Sequence, residues 1–368
     1  MTSPKIVHVI APENLGGAES VVRRFAEIAF REGRDITVIA IVPDDMESPF
    51  MNILKNQGIP VVQIRCRRRH YIAEINTLAE VIKNIKPEII HTHLYHADVI
   101  GYFAAMKCGL PIVSTVHGFT GSGIKSSLYV WIDKQLLKRF DAVVCVSKGV
   151  MDILLQNGCK RDKLYLIKNC YDAPAPEAAE TVREELGLPL DKYCIGWVGR
   201  MSLEKGADLF IESIARICRN DVIGVLVGDG PERARLEMLV SKLDINHRIR
   251  FLGLHKDASR LFPAFDVFVL SSRMDANPMV IFEAAWSRVP IITFRVGDVE
   301  DMIDESMATF VDAGNITNLA ESVGIIIDNY EMYKKRSISA LNTMRDKYSA
   351  SRWLHEKYAM YKQVLVQR

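Results

Sequence analysis

The chain lacks any long apolar run. No segment reaches the roughly 18 uninterrupted apolar residues that a membrane-spanning helix needs. Met1-Thr2-Ser3-Pro4-Lys5 leads into an apolar stretch at 6–11 that is too short for a secretory signal core. A cytoplasmic location is therefore expected, with membrane contact confined to the surface. Net charge is also scarce: 47 bases against 45 acids leave +2, too little for wholesale binding of nucleic acid, so no such partner is expected. The seven cysteines, at 66, 108, 145, 159, 170, 194 and 218, form no Cys-x-x-Cys pair. That spacing argues against a thiolate zinc site or a disulfide framework, and they read as small buried hydrophobes. No repeat of 20 to 50 residues is visible, which disfavours solenoids and propellers.

What is present is an average globular composition, 49% hydrophobic and 25% charged, over 368 residues. At about 150 residues per domain, two domains are expected. Short Val- and Ile-rich runs at 6–11, 36–42, 61–64, 89–93, 112–116 and 142–146 alternate with amphipathic stretches of helical length. This is the pattern of a parallel sheet with crossover helices. A second series follows at 193–198, 222–227, 249–252, 267–270 and 290–294. The fold class is thus α/β, with two doubly wound, Rossmann-like units whose strand carboxyl ends face a cleft. Between them, Asp172-Ala173-Pro174-Ala175-Pro176 biases the chain to an extended form. The boundary is placed there, giving domains 1–172 and 173–349. A last helix over 350–366 carries Trp353, Leu354, Tyr358, Tyr361 and Leu365 on one stripe, which reads as packing.

Four loops after predicted strands carry candidate chemistry. Asn14-Leu15-Gly16-Gly17-Ala18-Glu19 follows the first strand; its diglycine suits either a tight turn or the approach of a phosphate to a helix start. Gly-x-Gly-x-x-Gly is absent, which weighs against a dinucleotide. Gly199-Arg200 and Glu204-Lys205-Gly206 place two cations beside a helix start, an arrangement that suits a diphosphate. It is not a Walker loop, since Lys205 precedes its glycine. Gly228-Asp229-Gly230-Pro231 removes side chains from the same sheet edge. Asp275 and Glu283 flank a helix start near Pro278, where the amides of Met279 and Val280 could hold phosphate oxygens and carboxylates could hold sugar hydroxyls. His91 and His93 share a strand face, but no nearby carboxylate or cysteine completes a metal site.

Taken in order, these motifs resemble those of family 4 glycosyltransferases, which have the two-domain GT-B fold. The resemblance implies a nucleotide-diphosphate sugar donor, UDP on family frequency, held by the C-terminal domain. It also implies a glycan acceptor held by the N-terminal domain, retention of anomeric configuration, no metal or other cofactor, and a final helix that returns to the N-terminal domain. Residue by residue, it gives Arg200 and Lys205 the leaving diphosphate, Glu283 the ribose, Asp275 the donor sugar, and the edge near Leu254 the base. It places His117 beside the reacting sugar, while His93 reads as structural. Asp275 and Ala276 stand where the family usually has Glu and Gly. An epimerase or phosphorylase of the same fold, or a non-catalytic nucleotide-sugar sensor, are the competing readings.

Charge is uneven between the halves. The first 172 residues hold 22 bases and 17 acids, the remainder 25 and 28. Arg65-Cys66-Arg67-Arg68-Arg69-His70-Tyr71 concentrates the positive charge, and 124–140 interleaves Tyr129, Trp131, Leu136, Leu137 and Phe140 with Lys134, Lys138 and Arg139. Basic and aromatic residues together suit either an anionic membrane surface, with a lipid-linked acceptor for surface polysaccharide, or an ordinary helix packed on the core.

Overall fold

The computed structural model describes all residues except Met1, Thr2, 13–16, 45–47, 67–69, 120–123, Ala173, Pro174, Lys256, Ala276, Asp298 and Arg368, and describes 124–127 through their backbone. Two compact units emerge, Met1–Cys170 with Ala350–Arg368, and Tyr171–Ser349.

Unit 1 contains β1 (Ile6–Ile10), β2 (Ile36–Val42), β3 (Val61–Arg65), β4 (Ile89–His93), β5 (Ile112–Val116), β6 (Ala142–Cys145) and β7 (Leu164–Leu166). All pair in parallel, in the order β3-β2-β1-β4-β5-β6-β7. Every residue of β1, β2, β4, β5 and β6 is buried. Helices covering both faces of a parallel sheet produce this state, and it is why the strands read as unbroken apolar runs. The helix Ala350–Val366 belongs to this unit and buries Trp353, Leu354, Tyr358 and Tyr361. Trp353 meets Phe25 of the helix Gly17–Arg31 edge to face at 5.4 Å. With each buried large side chain contributing about 1.5–3 kcal/mol, the helix is an integral part of the unit.

Unit 2 contains β8 (Tyr193–Val198), β9 (Val222–Val227), β10 (Ile249–Gly253), β11 (Val267–Leu270), β12 (Ile291–Phe294) and β13 (Thr309–Val311), in the order β10-β9-β8-β11-β12-β13. In each sheet the strand order reverses beside the first strand, at β1/β4 and at β8/β11. Ligands of open α/β sheets bind outside the carboxyl ends at such points. The three-residue edge strands β7 and β13 were not anticipated, since each is partly exposed and too short to show a pattern.

A buried acid pair lies beneath β4 and β5. Asp98, in the first turn of the helix Tyr95–Cys108, accepts from the Thr92 hydroxyl. Burial pushes its carboxyl up to about 7, and pushes Asp133, on the helix Ile124–Leu137, up to about 9. Asp133 keeps a proton and shares it with Asp98. The folded state thus holds protons that an unfolded carboxyl releases near pH 4. This contribution to stability is complete below about pH 4 and is lost as pH rises through 7 to 9. Asp133→Asn, which supplies a permanent N–H donor, should flatten the fall in urea-unfolding stability between pH 5 and 9. An unchanged slope would show that the pair is not the source.

Candidate active site

The loops at the carboxyl edge of the second sheet are locked to one another by backbone contacts. The Gly199 amide donates to Val227 O at 3.0 Å and the Gly228 amide to Gly253 O at 2.8 Å, continuing the strand ladder past the ends of β8 and β9. The Met201 amide then donates to Asp229 O, and the Glu232 amide to Met201 O, both at 2.9 Å. On the other side, the Arg273 amide donates to Glu204 O at 2.8 Å and the Ser271 hydroxyl to Gly206 O at 2.7 Å. Glycines make such close approaches possible: a Cβ would lie 2.0 Å from Ser271 O at Gly206 and 2.4 Å from Met201 O at Gly230. Gly228 has φ +126, and a Cβ there would lie 1.9 Å from Gly199 O; Gly297 has φ +54, and its Cβ would lie 1.8 Å from Asp275 O.

Into this frame project the charged side chains. Lys205 Nζ lies 2.6 Å from Asp275 Oδ2, and Ser272 Oγ lies 3.4 Å from the same oxygen. The Asp275 side chain is 10% exposed and that of Lys205 29%, so the pair is sheltered yet reachable from one side. Arg273 forks onto Asp208 through two bonds of 2.8 Å and donates to Leu203 O at 2.8 Å. Burial alone would raise the Asp208 carboxyl, but its bonds to Arg273 outweigh that and hold it below the usual range. Asp208 sits in the first turn of the helix Ala207–Arg216, where the helix dipole also favours a negative charge. The Arg273–Asp208 fork therefore ties the loop bearing Asp275 to the helix that follows Lys205.

Most residues singled out in the sequence gather at this edge. Arg200 is exposed, directly after β8, and no side-chain bond holds it among the described residues. Met279 and Val280 begin the helix Met279–Trp286, with Pro278 as its extended N-cap, and Glu283 lies one turn further in, half-buried. Leu254, just past β10, is 65% exposed, an apolar surface that a base could cover. Gly17 opens the first helix of unit 1. His117 follows β5 in unit 1, half-buried, with Nε2 3.1 Å from His93 Nδ1. Burial, reinforced by Lys357, lowers its imidazole to about 3, so the ring is neutral. Gly16, Ala276 and Arg67 to Arg69 lie outside the described residues.

Sequence reasoning missed the parts played by Arg273, Asp208 and Gly297, which tie the loops of the site together. It also missed His8, whose ring nitrogen comes 2.9 Å from His93 although 85 residues separate them. The Lys205–Asp275 contact was missed as well: both residues were singled out, but for separate duties.

If the crossing at Gly228 holds the first two loops together, Gly228→Ala should cost more than the backbone strain of about 1–3 kcal/mol. Gly314 offers the comparison, with φ +78 and open space around its Cβ. Denaturant unfolding should show a clearly larger loss for Gly228→Ala than for Gly314→Ala. Equal losses would mean that the loops tolerate separation.

The sequence profile of Glycosyltransferase Family 4 matches residues 15–174, and that of Glycosyl transferases group 1 matches 178–342. Among curated proteins, the chain is 27% identical over 310 residues, 79% of each chain, to the UDP-Gal:alpha-D-GlcNAc-diphosphoundecaprenol alpha-1,3-galactosyltransferase of Escherichia coli. It is 30% identical over 208 residues, 56% of this chain and 59% of the relative, to the lipopolysaccharide core biosynthesis glycosyltransferase LpsD of Rhizobium meliloti. In fold it is similar to the Anabaena protein Alr3699/HepE crystallised with UDP-glucose, at a TM-score of 0.86 and 20% identity, covering 98% of this chain and 99% of that one. Both profiles, the two parallel sheets and the order of the loops agree, and the chain belongs to the family 4 glycosyltransferases of GT-B fold.

Proposed function

We propose that this glycosyltransferase takes a hexose from a UDP-sugar and transfers it, with retention and without a metal, to a lipid-linked glycan. The observation that carries the donor assignment is the Lys205–Asp275 pair at 2.6 Å, set among loops that close backbone crossings at glycines hold together. The E. coli relative is named for UDP-Gal and a diphosphoundecaprenol-linked acceptor, and the Anabaena protein was crystallised with UDP-glucose.

Breaking the sugar–phosphate bond leaves growing negative charge on the diphosphate and an oxocarbenium-like sugar. Lys205 carries three donors, so it can hold a phosphate oxygen without fully leaving Asp275. Arg200 offers a planar fork, and the first-turn amides of Met279 and Val280 add dipoles that need no reorganisation. Charge neutralisation of this kind replaces a metal. Among the described residues no carboxylate stands out as a nucleophile; in this reading the acceptor attacks on the face the diphosphate leaves, and a phosphate oxygen takes its proton. Glu283 serves the ribose hydroxyls and Asp275 the sugar.

The acceptor reading rests on the helix Ile124–Leu137 in the basic half of the chain. Leu137 and the following Phe140 are buried, but Leu128 and Trp131 are 54% and 58% exposed. Lys134 lies over the Phe119 ring at 4.6 Å. Part of the aromatic stripe is therefore core, and the remainder offers apolar surface beside cations, as an anionic bilayer would require. Among the described residues no helix is long and apolar enough to cross a membrane.

Screening UDP- and GDP-sugars for donor hydrolysis should single out a UDP-sugar, with EDTA causing no loss. Glu283→Gln should weaken binding of UDP about tenfold, ~1.4 kcal/mol. Asp275→Asn should leave UDP binding equal or tighter, because it removes the anion that competes for Lys205, while lowering transfer at least as much. Equal binding losses for both variants would refute the division of labour. For the acceptor, Trp131→Ser combined with Arg67, Arg68 and Arg69→Ser should abolish co-sedimentation with anionic vesicles at low salt. Undiminished binding would point to a soluble acceptor.

A further inference from the structure

One face of the first sheet carries polar side chains where a buried sheet should be apolar. His8 on β1 is the register partner of His91 on β4, and His93 that of Thr115 on β5. All four are at most 2% exposed. The helix Ala350–Val366 adds Lys357 and Tyr361 to the same cluster, at 2% and 0% exposure. A lysine buried to this extent is costly unless its surroundings give it a purpose.

The contacts form a single file. Lys357 Nζ donates to Thr115 Oγ1 at 2.9 Å, and Thr115 Oγ1 lies 2.7 Å from His91 Nε2. His91 Nδ1 lies 2.6 Å from Tyr361 Oη, which lies 3.4 Å from His8 Nε2. His8 Nδ1 is 2.9 Å from His93 Nε2, and His93 Nδ1 is 3.1 Å from His117 Nε2. Both ring nitrogens of His8, His91 and His93 are thus used, and His117 ends the file with Nδ1 remaining.

With every imidazole neutral and the Thr115 and Tyr361 hydroxyls each donating within the file, the bonds can run in two directions. With an ammonium on Lys357, Thr115 donates to His91 and each ring passes the polarity on through Nδ1–H, so His117 presents Nδ1–H as a donor. With a neutral amine, Lys357 can instead accept from Thr115. Every bond then reverses and His117 presents Nδ1 as a bare acceptor. One proton added at His117 Nδ1 and shifted along each bond in turn converts the second arrangement into the first, leaving a single positive charge on Lys357.

We propose that these groups form one proton-conducting file through which Lys357, as a positioning residue, dictates whether His117 offers Nδ1 as a hydrogen-bond donor or as an acceptor. Burial lowers Lys357 to about 7, so both of its forms exist near neutrality. Burial, together with Lys357 and the neighbouring imidazoles, holds His8, His91 and His93 well below the usual histidine range, so a proton does not stop on them. The other titratable groups acting on the file among the described residues are Cys170 near Lys357 and Tyr358 near Tyr361; Phe25 covers His8 with an apolar ring. The ligand atoms of His8, His91 and His93 lie within 4.8 Å of one another, close enough to hold a metal ion. Their hydrogen bonds to one another and to Thr115 and Tyr361 would have to be broken for that, beside a lysine. The link to sugar transfer rests on the proposed function and on the family resemblance, which implies a place for His117 beside the reacting sugar; the file itself does not.

The test is the imidazole 15N spectrum of histidine-labelled full-length protein between pH 5 and 9. The expected result is that His8, His91, His93 and His117 remain neutral and shift together from Nδ1–H toward Nε2–H with one midpoint near 7. Lys357→Met should abolish that transition. Tyr361→Phe should leave His91 following pH while His8, His93 and His117 no longer do, a break that a purely structural role would not place there. Should Lys357→Met fail to fold, Thr115→Val cuts the same link and should make all four rings insensitive. Rings that titrate separately as cations, a transition that survives Lys357→Met, or about one equivalent of metal in chelator-free protein that is lost in His91→Ala would each overturn the proposal. Failure of the donor screen with this NMR result intact would refute the function and leave the file standing.

Discussion

Lys205 and Asp275 meet at 2.6 Å across two loops that are 70 residues apart in the chain. On that meeting depends most of what the second unit can do. A lysine beside a carboxylate is held in place without being consumed, because its remaining donors stay available for a phosphate. The carboxylate, in turn, offsets the charge of the lysine. In the proposed function, a sugar diphosphate would satisfy both partners at once, phosphate to lysine and hydroxyl to carboxylate, whereas inorganic phosphate would satisfy one.

The pair exists because backbone crosses backbone. Gly228 passes over Gly199, Gly297 over Asp275, and the Arg273 fork ties the Asp275 loop to the helix after Lys205. Each crossing excludes a side chain and fixes the distance between loops that would otherwise wander. Charge neutralisation works in catalysis only when the dipoles are already in place as charge develops, and these crossings supply that preorganisation.

Of the eleven strands expected from apolar runs, the inner ones were legible because strands covered on both faces carry long Val- and Ile-rich runs, the part-exposed edges β3 and β10 showed shorter ones, and the last helix was legible from its aromatic stripe. Short edges such as β7 carry too little pattern to be seen. At the site, residue types were legible but their pairings were not. The sequence places Lys205 and Asp275 on different loops, and only the β8/β11 adjacency brings them together. Lys357 stood in view, four residues from both Trp353 and Tyr361 and therefore on the buried stripe. A lysine at that spacing is itself a signal of a buried polar cluster. His8 had no such marker, since its partners lie on β4 and on the last helix.

The most direct measurement is a crystal structure of the protein with a UDP-sugar bound. The account predicts Lys205 Nζ within hydrogen-bonding distance of a diphosphate oxygen, and Asp275 turned to a sugar hydroxyl, with the crossings at Gly228 and Gly297 unmoved. A diphosphate bound elsewhere, with Lys205 and Asp275 still paired only to each other, would contradict it.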